Sequence, residues 1–157
     1  MKTVIFNKII SIEYPDDFYE MDKEEISKYF GGDMLRFAIR NVEKHVIMSI
    51  GKTNKSILNL FATPKNVLSN AENTLKVNLN NYTRLDSFEV EMLSKRGNGM
   101  SFKYKANDQN IEQFCEMAII KYKSEFYITY CLSRFDNVKE NEELFRAFRR
   151  SLKPINQ

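Results

Sequence analysis

Hydrophobic positions recur along this chain with two different periods, and each period marks out its own segments. In 34–40, Leu35, Phe37 and Ile39 alternate with Arg36, Ala38 and Arg40; in 45–51, Val46, Met48 and Ile50 alternate with His45, Ile47 and Ser49. Alternation places successive side chains on opposite faces of a strand, so these runs predict a hairpin joined by the polar stretch 41–44. A second hairpin is predicted where Phe88, Val90 and Met92 alternate with Ser87, Glu89 and Glu91, followed by Phe102, Tyr104 and Ala106 between Lys103 and Lys105. A turn centred on Gly97 would set Glu91 opposite Lys103 and Glu89 opposite Lys105 on one wet face. The third pair differs. Residues 113–122 are apolar on both parities, and Phe126, Ile128, Tyr130 and Leu132 answer them across 123–125. Strands buried on both faces belong at the middle of a sheet with layers on each side.

The other period is helical. Asp22-Lys23-Glu24-Glu25 has the form of a capping box, Ile26, Tyr29 and Phe30 share one face, and Gly31-Gly32 supplies a stop, predicting a helix over 23–30. Thr63 as N-cap and Pro64 in the first turn open a helix over about 64–80, with Val67, Leu68, Ala71, Leu75 and Leu79 on its apolar face. A closing helix over 138–152 carries Leu144, Phe145, Phe148 and Leu152 on one stripe; its glutamates come early and its arginines late, as the helix dipole favours. At the N-terminus, 3–6 and 9–13 read as short strands rather than as a secretory segment. Asn7 and Lys8 interrupt the apolar run, and the Tyr14-Pro15-Asp16-Asp17 turn closes it. Residues 18–21 form a further extended piece. The pattern predicts an α+β domain over 1–157: an α/β/α sandwich with a mostly antiparallel sheet of about six to eight strands and three helices on its faces.

Composition narrows the chemistry. The chain has 157 residues, 43% of them hydrophobic, with one His, two Cys, five Gly and no Trp. A His/Cys metal centre, a nucleophile–His relay and a glycine-rich phosphate cradle all draw on residues that are scarce here, so no catalytic residue, cofactor or metal site is expected. Gly51-Lys52-Thr53 resembles the end of a phosphate loop, but the position needing the first glycine holds Val46 in a strand. His45 reads as a structural residue beginning a strand. Cys115 and Cys131 fall in apolar strands and read as two buried thiols of a cytoplasmic protein, the alternative being one bridge if they face each other. No run approaches the roughly 18 apolar residues of a membrane span. A net charge of +3 is too small to argue for nucleic acid.

That charge is unevenly spread. Residues 13–33 carry a net of −6, leaving +9 for the remainder. Complementary fields steer association, so Asp16, Asp17, Glu20, Asp22 and Glu24 form a candidate interaction patch for a basic protein partner. Lys95, Arg96 and Asn98, around the supposed Gly97 turn, form a candidate interaction loop.

The run YPDDFYEMDKEEISKYFGGD at 14–33, followed by the hairpin containing Asn41 to Ile50, resembles bacterial members of the PsbP-like superfamily. That superfamily also includes the Ran-binding nuclear-import factor and the Eag-type chaperones of type VI secretion effectors. The later helix, hairpins and closing helix follow in the same order, so the resemblance covers nearly the whole chain. It implies the sandwich and a role in binding other proteins, and carries over no catalytic residue. The expectation is a non-enzymatic adaptor, monomeric or homodimeric. The alternatives are a chaperone for an apolar client segment, or a small-molecule binder with a pocket between sheet and helix near His45 or the tyrosines.

Overall fold

The computed structural model describes residues 1–32, 34–53, 61–106 and 110–155. The chain opens with β1 (Lys2–Phe6), β2 (Ile10–Tyr14) and β3 (Tyr19–Glu20), then α1 (Lys23–Phe30). The hairpin β4 (Leu35–Asn41) and β5 (Val46–Lys52) follows, then α2 (Pro64–Asn78). Four long strands come next: β6 (Asn80–Met92), β7 (Lys95–Lys105), β8 (Glu112–Tyr122) and β9 (Glu125–Arg134). The helix α3 (Val138–Ser151) and the short β10 (Lys153–Pro154) complete the chain.

Seven strands form one antiparallel sheet in the order β3-β4-β5-β9-β8-β7-β6. The doubly apolar β8 and β9 lie inside it, as their two-sided pattern requires. On one face, α1 and α2 cover Ala38, Ile47, Phe102, Cys115 and Leu132. On the other, α3 covers Phe37, Met48, Phe114, Tyr127 and Cys131 through Phe145, Phe148 and Leu152. The N-terminal strands do not extend the main sheet. They form a separate three-stranded sheet, β1-β2-β10, whose fully buried Ile10 and Ile12 belong to the α3-side core. The Asn7 amide donates to the Tyr127 hydroxyl at 3.0 Å and ties this small sheet to β9.

Both predicted caps form. Asp22 accepts from the Glu25 N–H at 2.9 Å while Glu25 accepts from the Asp22 N–H at 3.3 Å. Thr63 accepts from the Asn66 N–H at 3.2 Å, and Pro64 stands where a missing N–H costs nothing.

The turn of the second long hairpin lies elsewhere than the glycines suggest. Met92 pairs with Lys95, so the turn is Leu93-Ser94; Glu91 faces Arg96, Glu89 faces Asn98, and Lys103 faces Thr83. Lys95, Arg96 and Asn98 are therefore strand residues of β7, not a loop. Leu93 and Ser94 both take left-handed backbone, with φ of 53° and 60°, as do Lys123-Ser124 in the two-residue β8–β9 turn and Asn7-Lys8 in the three-residue β1–β2 turn. Gly97 answers a different need. A Cβ there would collide with the carbonyl oxygen of Ile119 on β8, and a Cβ at Gly99 would collide with the Phe88 ring.

Candidate functional site

The acidic segment predicted as an interaction patch divides into committed and outward-facing carboxylates. Asp16 meets the N-terminal ammonium at 3.0 Å. Asp17 meets Lys44 at 3.2 Å and accepts from the Asn41 amide at 3.0 Å. Asp22 is occupied as the cap of α1. Glu25 contacts Arg40 at 3.8 Å and accepts from the Tyr19 hydroxyl at 3.5 Å. Glu20 and Glu24 are exposed and carry no ion pair or hydrogen bond among the described residues. Tyr19 and Tyr29, 40% and 37% exposed, stand beside them in the same short stretch of chain. Asp33 lies outside the described residues.

Lys95 and Arg96 are exposed at the start of β7. Asn98 is half-buried and enters a cleft of about 340 Å³ between α2 and the β6–β7 edge, with Lys65, Arg84 and Glu89. The sequence missed what closes this cleft. Arg84 grips Glu72 with two bonds of 2.7 and 2.6 Å, and the Tyr82 hydroxyl donates to the same carboxylate at 2.8 Å. The Arg84 hydrogen bond holds the Glu72 carboxyl below its ordinary range; burial opposes this and the Tyr82 hydrogen bond assists it. Burial, and then the bond to Glu72, push the Tyr82 hydroxyl up. The signal was present: Glu72 follows Leu68 by four positions and precedes Leu75 by three, which puts it on the apolar stripe.

A second hidden pair, Glu116 of β8 and Arg149 of α3, meets at 2.6 Å. Each is the charged intruder in an otherwise apolar row.

His45 is corrected most. It sits outside β5, exposed, in the β4–β5 turn with φ of 55°. There it lines a cavity at one end of the sheet on the α1 side, together with Tyr29, Arg40 and Arg134. The two cysteines, both free and buried, occupy neighbouring strands but opposite faces: Cys115 in the α1/α2-side core and Cys131 in the α3-side core. They are held apart by the sheet itself, whatever the redox poise.

Among the described residues, no three His, Cys, Asp or Glu side chains are placed to hold a metal ion. No described helix is long and apolar enough to cross a membrane. The exposed large apolar residues Ile5, Leu35, Phe61, Val77 and Leu85 come from different segments.

No family model and no curated protein matches the chain. Solved structures do. The PsbP of the cyanobacterium Synechocystis sp. PCC 6803 (CyanoP) superposes with a TM-score of 0.63 at 15% identity, over 93% of this chain and 86% of that one. The Ran-binding protein Mog1p of Saccharomyces cerevisiae gives 0.61 at 10% identity, over 96% and 93%. A protein of unknown function from Pseudomonas aeruginosa gives 0.59 at 9% identity, over 100% and 99%. The chain therefore has the fold shared by PsbP and Mog1p, as its N-terminal segment suggested, and at these identities the likeness is one of fold.

Proposed function

We propose that this domain is a non-enzymatic adaptor that binds a basic protein surface through Glu20, Glu24 and the flanking Tyr19 and Tyr29. The observation that supports this reading is the division of the acidic segment. Asp16, Asp17, Asp22 and Glu25 are spent on holding the segment in place, which leaves Glu20 and Glu24 of the predicted patch outward on a fixed frame. Unneutralised charge on a fixed backbone requires no backbone ordering when a partner docks, and tyrosine is among the residues that contribute most at protein interfaces. Mog1p, which shares this fold, is a Ran-binding protein, and this supports a protein partner for the domain.

The test is recovery of partners from an extract of the source cells on immobilised wild-type protein and on the Glu20→Lys/Glu24→Lys variant. The adaptor reading expects a discrete partner that the variant loses and that high salt releases, since exposed ion pairs are screened. Equal recovery by both proteins removes the strip from consideration.

A further inference from the structure

The cavity beside His45 gathers two arginines and the chain's one histidine among its lining residues. Its volume is about 170 Å³, and five elements and a turn meet there: α1, β4, β5, β8, β9 and the β4–β5 turn. Its polar wall is Arg40, His45, Gln113 and Arg134, and its floor is the directly paired Ile47 and Leu132. Gln113 and Arg134 are also cross-strand partners, so the sheet's register sets them side by side. Arg40 is fixed by two contacts that leave it only partly neutralised: its guanidinium lies 5.0 Å over the Tyr29 ring and 3.8 Å from Glu25. The side chains of Arg134, His45 and Gln113 carry no ion pair or hydrogen bond among the described residues. Two guanidinium groups and an imidazole thus line one small cavity, with Glu25 reaching only Arg40.

We infer that this cavity is a binding site for a carboxylate borne on a short apolar stem. Planar guanidinium forks match a carboxylate through two parallel N–H···O bonds, and the Gln113 amide adds a neutral donor. The Ile47–Leu132 floor has no use for a fully hydrated inorganic anion but suits two or three methylene groups. Size agrees. A cavity of roughly 150 Å³ accommodates a ligand of about six non-hydrogen atoms such as benzene, and butyrate has about as many. The carboxylate can come from a free short-chain acid or from a glutamate side chain of another protein. The inference rests on these residues alone and holds whether or not Glu20 and Glu24 engage a partner.

Amide NMR titrations of the isotope-labelled protein test it with three probes: sodium butyrate, inorganic phosphate, and an acetylated, amidated pentapeptide with glutamate at its centre. Butyrate is expected to shift the backbone amides of Arg40, His45, Gln113 and Arg134 saturably, more tightly than phosphate. Arg134→Gln should weaken it about tenfold, the loss of one charge-assisted donor pair. Gln113→Glu, which keeps Arg134 but sets a competing carboxylate beside it, should weaken it as well and covers the case in which Arg134→Gln disturbs folding. Saturable peptide binding with the same Arg134 dependence identifies a protein side chain as the source; butyrate binding alone identifies a free acid. Absence of saturable shifts at these amides, equal binding by phosphate, or unchanged butyrate affinity in both variants would overturn the assignment.

Discussion

Arg149 and Glu116 meet inside the protein, Nη1 to Oε1 at 2.6 Å, with 10% and 8% of their side chains exposed. The Arg149 guanidinium also lies 5.6 Å from the centre of the Phe88 ring, so α3 is pinned to both β8 and β6 by one side chain. Burial pushes the Glu116 carboxyl up and Arg149 pulls it only partway back. Desolvation outweighs attraction here, the usual balance for a buried ion pair. Removing one partner should therefore cost far more than removing both. Arg149→Met or Glu116→Leu alone should lower unfolding free energy by about 3–5 kcal/mol, while the double variant recovers most of that loss. Urea denaturation of the four proteins measures the cycle.

Glu72 and Glu116 should give opposite responses to acid. The folded-state pKa of Glu72 is depressed, so its contribution is present above the ordinary glutamate value of about 4.3 and lost as pH falls through the lower folded value. That of Glu116 is raised, so the folded state holds its proton more tightly and stability falls as pH rises from about 4.3 through the folded value. Melting midpoints followed over the acid range should show Glu72→Gln flattening the loss of stability on acidification. Glu116→Gln should make that loss steeper. Parallel curves for both variants would refute these opposite shifts.

The glycines of β7 should behave unequally. At Gly97 a new methyl meets the backbone of β8, which cannot move without breaking the β7–β8 ladder; at Gly99 it meets a ring that can rotate. Gly97→Ala should cost more than about 3 kcal/mol, at the upper end for single substitutions, and clearly more than Gly99→Ala. Ser94→Gly should instead stabilise by about 0.5–1 kcal/mol, because φ of 60° is free for glycine and strained for serine. Thermal melts of the three variants decide this.

The thiols should be silent in the native state. Burial raises both above the ordinary cysteine value, Cys131 to about 12. Iodoacetamide at neutral pH followed by intact mass measurement should add nothing to the folded protein and two groups after urea denaturation. A bridged species under mild oxidation would contradict their placement on opposite faces.

The elements were legible in the sequence because period and caps agree locally. Asp22 with Glu25, Thr63 with Pro64, and the doubly apolar 113–122 each announced their structure. Two things were hidden. The turn at Leu93-Ser94 carries no glycine, and its left-handed backbone is held in place by the burial of Leu93, a tertiary effect invisible to turn chemistry. The acidic strip read as uniform, whereas pairing depends on Lys44, Arg40 and the N-terminus arriving from elsewhere in the chain. Of the predicted patch only Glu20 and Glu24 stay uncommitted, and the cavity at His45 draws on two hairpins that the long-range β5–β9 pairing brings together.

The adaptor reading is tested most directly by site-specific photo-crosslinking with benzoylphenylalanine in place of the exposed Ser27 on α1 or, as a control, of Lys139 on α3 across the sheet. The account predicts a single covalent partner adduct from position 27, absent from position 139 and suppressed when Glu20→Lys and Glu24→Lys are added. Adducts of equal yield from both positions, or an adduct from 27 that the two charge reversals leave unchanged, would contradict it.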